Sequence, residues 1–443
     1  MTLDLNVKSA MAYGTLAEEN RYRPRRRTGD PGGDRVSQRP VDADFGAFWG
    51  APLGEDALGT RAPRCIYNGP MMRRRVYPTA LTLLAATFLV STPLAGAKSV
   101  RRQAQPRHIA VGTSHSCVLT DTNVWCWGAN DFGQLGTGPS GPQERPVRVA
   151  GVAVMQITAG YGHTCAVLVG GGVACWGDNT SGQLGDGTKS RRARPTLVEG
   201  LPSASAVHAG RSHTCAVTPK GAVYCWGDNS LGAVGDGSTL QRLRPALAVH
   251  LSGVTALAAG SFSCGLEAGG LVKCWGMNFT ATPTAVPLEG AIPAIEDLTG
   301  CARDAKGATR CWGAGTSGQL GSGDHRPWHR NPEPIKLPKP AKGLAVAQSF
   351  ACAHLADDTL LCWGAKWGNP KGFAKKCLRS TNHSSGGGSA AQWRYCPTPT
   401  KVPGLGPIVD VDAGGERICA IHGGRAVKIT CWGRDHGPKR VRW

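Results

Sequence analysis

Cysteine pairs recur along this chain at a spacing of about ten residues and could support three kinds of chemistry. In the stretch HTCAVLVGGGVACWGDNTSGQLGDGT, Cys165 and Cys175 flank a run of three glycines. Paired thiols can bind zinc, exchange disulfides or form a structural cross-link. A redox Cys-x-x-Cys motif needs a shorter spacing, and zinc usually takes two close pairs per site, which no copy offers. The spacing favours a structural disulfide and predicts no metal site.

Acidic and histidine side chains recur too, and acid–base catalysis would need such groups. The acids stand in Gly-Asp-Asn and Gly-Asp-Gly sequences, where Asp typically bonds its own backbone in a turn. A catalytic set would occur once rather than as a series, so we predict structural roles, no catalytic residue and no cofactor. Calcium binding by the DNTSGQLGDG turn and a propeller hydrolase remain as alternatives. The residues are Asp178, Asp186, Asp228, Asp236, His115, His163 and His213.

The tripeptide Cys-Trp-Gly occurs seven times, and each copy follows another cysteine. Most copies start about 50 residues apart, a period that is typical of propellers and solenoids. An eighth pair, Cys377 and Cys396, lies in a long insertion in the sixth copy. The seven repeat pairs are Cys117 with Cys126, Cys165 with Cys175, Cys215 with Cys225, Cys264 with Cys274, Cys301 with Cys311, Cys352 with Cys362 and Cys419 with Cys431.

The residues between the two cysteines predict a β-hairpin. If Cys165 faces Cys175, the loop that remains is Val169-Gly170-Gly171, and three further copies give loops that also end in Gly. Three-residue hairpin loops place their last residue in the left-handed region, which favours Gly. Facing residues are close enough for a disulfide. A disulfide that closes such a short loop stabilises the fold by about 2–3 kcal/mol.

Each copy supplies roughly four short strands, which is the content of one propeller blade. A Gly-Gln-Leu-Gly segment follows Cys-Trp-Gly in several copies, and a Pro-led segment such as RPVRV at 145–149 comes next. We therefore predict an all-β, seven-bladed β-propeller with disulfide-stapled blades. Because the first copy has no preceding Pro-led strand, we expect Pro438–Trp443 to pair into the first blade and close the ring.

Residues 71–97 have the three parts of a secretory signal peptide: Arg73–Arg75, an apolar run, and a small-residue cleavage site at Ala95–Ala97. A buried apolar strand or helix is the alternative. The segment 1–70 is then disordered or a mis-annotated upstream extension, and 98–443 is the mature propeller. That part has sixteen of the 17 cysteines, an even number that suits an oxidising compartment. We expect a secreted, periplasmic or cell-surface protein.

The formal net charge of +20 favours an anionic partner, such as an acidic polymer or an acidic protein. We expect a monomer with no membrane span in the mature chain, and nucleic acid is a poor candidate because the basic residues are scattered. Two breaks in the repeat are the predicted binding loops: residues 322–334 and the insertion 365–400. The candidate residues are Arg326, Trp328, Arg330, Trp367, Lys375, Trp393, Arg394 and Tyr395.

The segments Ala159–Pro195 and Ala209–Pro245 resemble the regulator of chromosome condensation repeat, which reads AAGxxHTCALxxxGxVYCWGxNxxGQLG. The resemblance covers about residues 107–443 and implies a seven-bladed β-propeller. Family members include a nuclear exchange factor for the GTPase Ran, a plant UV-B photoreceptor and an exported β-lactamase inhibitor. We therefore predict an exported propeller that binds a protein or an anionic cell-surface ligand through its face loops, without catalysis. An intracellular exchange factor is the alternative.

The export and disulfide predictions can be tested by intact mass spectrometry of the protein expressed with its own leader. We expect a species that starts near Lys98 and takes up no thiol label until it is reduced, because all sixteen remaining cysteines are paired. A full-length product with free thiols would contradict export.

Overall fold

The computed structural model describes residues 105–288, 290–296, 299–323, 326–365, 378–379, 394–424, 426–433 and 436–442. The upstream segment 1–70 and the signal peptide 71–97 predicted from the sequence lie outside these ranges. Within them the chain forms β-strands grouped in seven sheets, which confirms the predicted seven-bladed propeller. No helix in the described part is long and apolar enough to cross a membrane.

Each blade is built from one continuous piece of chain, and its consecutive strands pair antiparallel. The innermost strand comes first and the Pro-led strand comes last. The first three blades are β1 (Pro106–Val111), β2 (His115–Thr120), β3 (Asn123–Gly128) and β4 (Gln143–Arg148); β5 (Val154–Ala159), β6 (His163–Leu168), β7 (Val173–Gly177) and β8 (Arg192–Leu197); and β9 (Ala206–Ala209), β10 (His213–Val217), β11 (Val223–Gly227) and β12 (Arg242–Leu247).

The later blades follow the same order, and the sixth has an additional short strand from the insertion. Blades 4 and 5 are β13 (Val254–Ala259), β14 (Phe262–Glu267), β15 (Val272–Gly276) and β16 (Thr284–Val286), then β17 (Ile292–Glu296), β18 (Thr299–Arg303), β19 (Thr309–Ala314) and β20 (Trp328–Ile335). Blades 6 and 7 are β21 (Ala341–Val346), β22 (Phe350–Leu355), β23 (Leu360–Ala365), β24 (Leu378–Arg379) and β25 (Arg394–Lys401), then β26 (Ile408–Gly414), β27 (Arg417–His422), β28 (Lys428–Gly433) and β29 (His436–Arg440).

The predicted closure of the ring by Pro438–Trp443 is wrong. Strand β29 pairs with β28 of its own blade, with Cys431 opposite Lys439. The reason is where each blade begins in the repeat. A Pro-led strand pairs with the Cys-Trp-Gly strand that precedes it, so β4 pairs with β3 and already completes blade 1. Two side chains bridge the ends of the ring instead. The backbone N–H groups of Ile109 and Val111 donate to Oδ2 of Asp410 and Asp412, at 2.8 and 2.7 Å.

The paired cysteines face each other across the second and third strands of every blade, as predicted. Cys165 lies opposite Cys175 with their Cα atoms 4.1 Å apart, and Gly171 at the end of the loop has a φ of +86°. All seven repeat pairs named above form disulfides. Cys396 is also disulfide-bonded, and its predicted partner Cys377 lies outside the described residues.

The Gly-Gln-Leu-Gly turn of one blade holds the tryptophan of the next. The Trp176 indole N–H of blade 2 donates to the Gln134 carbonyl of blade 1 at 2.9 Å. A Cβ on Gly136, which has a φ of +71°, would lie 2.7 Å from that indole nitrogen. We call this arrangement the turn–tryptophan contact. Trp226, Trp275 and Trp363 make the same bond to Gln183, Ala233 and Gln319.

Substitution of Trp226 by Phe tests the energy of the turn–tryptophan contact. The side chain is fully buried, and Phe leaves the Gln183 carbonyl with one bond fewer. We expect the free energy of unfolding to fall by about 1 kcal/mol more than in Trp312→Phe, since one hydrogen bond contributes about 0.5–1.5 kcal/mol and the carbonyl keeps its bond from Thr214. Trp312 is a matched control because it is 3% exposed but makes no such bond in the described structure. Equal losses in chemical denaturation would refute the contact.

Candidate functional site

The repeated histidines connect adjacent blades around the ring. His115 Nε2 lies 2.8 Å from Thr164 Oγ1 of the next blade, and His163 Nε2 lies 2.9 Å from Thr214 Oγ1. The Thr164 hydroxyl donates its own proton to the Gln134 carbonyl at 2.8 Å. The histidine Nε2 must therefore be the donor in this pair, because a hydroxyl has one proton. His213 and Ser263 repeat the arrangement at 2.8 Å.

Burial keeps these histidines neutral. It is the largest cause that lowers the pKa of His115 from the ordinary 6.5 to about 3, and the pKa of His163 and His213 to about 4. Each Nε2 contacts a hydroxyl that donates its own proton to a backbone carbonyl of the preceding blade, at 2.8 Å for Thr164 and Thr214 and at 3.4 Å for Ser263. No nucleophile of the described part is left for these imidazoles to activate, so the contacts serve blade packing.

The recurring acids are bound within their own turns. Asp186 Oδ1 accepts hydrogen bonds from the N–H and hydroxyl of Thr188, at 3.0 and 2.7 Å, and Oδ2 accepts from Arg192 Nε at 2.7 Å. These bonds outweigh partial burial and lower its pKa. Asp236 makes the equivalent bonds to Ser238 and Arg242. Among the described residues, no group of three His, Cys, Asp or Glu could hold a metal ion.

The predicted binding loop at 322–334 lies at the start of β20. Trp328 is 40% exposed, as a contact residue should be. The positive charge of Arg326 is partly neutralised, since its Nη2 lies 3.0 Å from Glu333 Oε1. Nδ1 of the buried His329 lies 3.1 Å from the same atom. Arg330 belongs to β20, but its side chain is outside the described structure. A binding role for this loop stays a prediction.

The insertion of blade 6 is described only in part. Trp367, Lys375 and Trp393 lie outside the described residues. Arg394 and Tyr395 begin β25, where Tyr395 pairs with Ala365 of β23, and their side chains are not described. Recognition by this insertion therefore also stays a prediction.

A cavity of about 510 Å³ lies between blades 7 and 1. We call it the seam cavity. Blade 1 contributes the end of β3 and the start of β4, and blade 7 contributes the start of β27 and the last residues of the described chain. Its lining residues are Trp127, Gly128, Pro142, Gln143, Glu144, Arg145, Arg417, Cys431, Lys439, Arg440, Val441 and Arg442.

The seam cavity is strongly basic. Five of its lining side chains are cationic and one, Glu144, is acidic. Among the described residues, no ion pair involves the four exposed basic side chains: Arg145, Lys439, Arg440 and Arg442. The fifth, Arg417, is half-buried and its Nη1 lies 3.5 Å from the Ser114 carbonyl. Uncompensated charge in a concave site raises the local concentration of anions.

The sequence analysis missed this cavity. Its basic residues come from the start of β4, the start of β27 and the residues from Lys439 onward, which only the closure of the ring brings together. One sequence signal was available: the seventh copy lacks the Gly-Gln-Leu-Gly turn, and three basic residues occur in its KRVR end.

Family models for the regulator of chromosome condensation (RCC1) repeat match the chain at residues 121–167, 170–217 and 220–266. A second model of the same repeat matches residues 107–134, 154–183 and 205–233. RCC1 repeats therefore occupy residues 107–266 of this seven-bladed β-propeller. The family resemblance read from the sequence is thereby confirmed, and a propeller of this kind supports a binding or interaction role.

One solved structure supports the propeller fold, and two others match with lower similarity. Human WBSCR16 is 20% identical, with a TM-score of 0.60 over 72% of this chain and 88% of that one. Prp20p from Saccharomyces cerevisiae, described with its binding to Gsp1p and histones, is 19% identical with a TM-score of 0.46, over 76% of each chain. The ectodomain of the Arabidopsis thaliana receptor kinase ACR4 is 20% identical with a TM-score of 0.47, over 76% of this chain and 97% of that one.

The buried histidines predict that acid destabilises the propeller. Their folded pKa lies below the unfolded value, so the unfolded state binds more protons between pH 6.5 and about 4, and stability falls as the pH falls through that window. Asp412 has the opposite effect on stability, because burial raises its pKa to about 6 and the folded state therefore binds its proton first as the pH falls. It is one group, whereas the buried histidines are several. We expect His163→Gln to remove up to about 3 kcal/mol of this loss, at 1.36 kcal/mol per pKa unit.

Chemical denaturation of wild type and His163→Gln at pH 7 and pH 4.5 measures this difference. Asp412→Asn is the control, because it should make the acid loss larger rather than smaller. The same pH dependence in wild type and His163→Gln would show that the histidine is not buried neutral.

Proposed function

We propose that this RCC1-repeat propeller is an exported, non-catalytic binding protein that recognises an anionic ligand, either an acidic protein or an anionic cell-surface polymer. The observation that carries the proposal is the seam cavity, which combines about 510 Å³ of space with four basic side chains that have no acidic partner in the described structure. Ligand sites are concave and have a few convergent polar groups. Here those groups share one sign of charge.

The geometry of the repeated polar residues supports binding rather than catalysis. The histidines that the sequence brings to attention donate to hydroxyls of the next blade, and the acids bond to their own turns. General acid–base chemistry needs a titratable group within reach of a substrate and a pKa near the working pH. A histidine with a pKa of about 3 or 4 that is buried in a blade junction meets neither requirement.

The seven disulfides are consistent with an oxidising compartment, since cytosolic thiols are normally kept reduced. Together with the predicted signal peptide at 71–97, they support export to the periplasm, the cell surface or the medium. A monomer with a basic surface would meet anionic polymers and acidic proteins there, and nucleic acid is a poor candidate ligand in that compartment.

Salt-dependent binding of polyanions tests this function. We expect the oxidised protein to bind fluorescent poly-L-glutamate or a sulfated polysaccharide, and to bind at least about tenfold more weakly when the salt concentration rises from 0.05 to about 0.5 M, because salt screens exposed charges. A neutral polysaccharide is the control. Fluorescence anisotropy measures the binding, and failure to bind either polyanion at low salt would contradict the proposal.

A further inference from the structure

We call a junction between two blades complete where it has the turn–tryptophan contact. The contacts at these junctions show what occupies the space that is open between blades 7 and 1. Between blades 1 and 2, the Gln134 carbonyl accepts from both the Trp176 indole and the Thr164 hydroxyl. A Cβ on Gly138, further along the same turn, would lie 3.0 Å from the Arg194 guanidinium. A peptide turn thus covers a tryptophan, a hydroxyl and an arginine of the following blade.

The same three positions recur at the start of blade 1. Trp127 corresponds to Trp176, since each follows the second cysteine of its blade, and Ser116 corresponds to Thr164, since each precedes the first cysteine. Arg145 corresponds to Arg194, since each precedes the proline of the Pro-led strand. Trp127 and Arg145 both line the seam cavity.

The turn that should cover these groups is missing from blade 7. Only residues 434–435 lie between β28 and β29, whereas Ala129–Pro142 connect β3 to β4 in blade 1. Trp127 is 6% exposed, and its indole N–H makes no hydrogen bond within the described structure. This N–H is not among the fully enclosed polar atoms that lack a partner, so it is accessible to a ligand that supplies an acceptor.

The charge of the cavity distinguishes this ligand from an ordinary Gly-Gln-Leu-Gly turn. Lys439, Arg440 and Arg442 line it from the side of blade 7, and a neutral turn would give these three exposed cations no carboxylate to pair with. A turn that has Asp or Glu side chains would satisfy the indole through a backbone carbonyl and the cations through carboxylates.

We propose that the seam cavity binds an acidic peptide loop of a partner protein, which completes the junction between blades 7 and 1 as a turn of the preceding blade completes the four junctions that have the turn–tryptophan contact. This inference rests on the proposed function and specifies its site and its ligand. A peptide is favoured over a polysaccharide because peptide turns fill the corresponding space at the complete junctions, and because the unpaired indole occupies the position that accepts a backbone carbonyl there.

The test compares two double charge reversals in oxidised protein. R440E/R442E changes the seam cavity, and K220E/K306E makes the same change of charge on the exposed hairpin turns of blades 3 and 5, which have no ion pair in the described structure. The probe is a fluorescent peptide with the sequence of residues 129–140, ANDFGQLGTGPS, in which Gln134 and Thr137 are replaced by Glu. We expect R440E/R442E to weaken binding at least about tenfold and K220E/K306E less than about threefold.

A second variant separates the indole contact from charge. Trp127→Phe removes the N–H and keeps an aromatic side chain, so we expect severalfold weaker binding of the peptide and unchanged binding of a sulfated polysaccharide. The thermal midpoint of each variant, measured alongside, shows that the fold is intact. Trp127→Phe should lose less stability than Trp226→Phe, because the Trp127 indole makes no hydrogen bond to the described residues.

The outcomes distinguish the inference from the proposed function. If wild type binds polyanions and both double variants bind them equally, the site is elsewhere and the inference fails while the function stands. If R440E/R442E loses only the polysaccharide, the cavity is a polysaccharide site and the peptide proposal is overturned. If wild type binds no polyanion of either kind, the proposed function itself fails.

Discussion

The ring depends on one shared acceptor at each complete junction, the carbonyl in the Gly-Gln-Leu-Gly turn. The Gln134 carbonyl receives the Trp176 indole and the Thr164 hydroxyl, and Thr164 in turn accepts from His115. Three side chains and a turn from two blades thus form one buried network. Because partly satisfied buried networks are unfavourable, the turn, the tryptophan, the hydroxyl and the histidine have to occur together, and in the first three copies of the repeat they nearly do.

The features that the sequence predicted correctly are local ones. The hairpin register follows from the spacing of Cys165 and Cys175 and from the glycine at the end of their loop, and the blade count follows from the period of Cys-Trp-Gly. Both depend on residues close together in the chain, for which turn chemistry and strand pairing are strong constraints. The Cys-Trp-Gly tryptophans are buried for the same reason, since a residue that recurs in every copy has a role that every copy needs.

The closure of the ring and the seam cavity could not be predicted in the same way. Asp410 and Asp412 bond to Ile109 and Val111 across more than 300 residues of chain, and no local pattern identifies such partners. The prediction that the terminal strand pairs into blade 1 was wrong. A repeating sequence does not by itself show at which strand each blade begins, so the terminal strand can be assigned to either of two blades. The basic residues of the cavity come from separate segments, so each looks like an ordinary exposed cation until the fold brings them together.

The construction of each blade from one continuous segment has a consequence for how such rings can evolve. When a terminal strand is shared between the first and last blades, an added or lost repeat must preserve that exchange. In the described structure, blades 1 and 7 meet through hydrogen bonds that involve side chains and through packing, and every described sheet is complete within its own copy. Gene duplication or deletion of a whole unit therefore leaves all other sheets intact, and the two blades at the join have only to adjust their side-chain contacts to a new ring size.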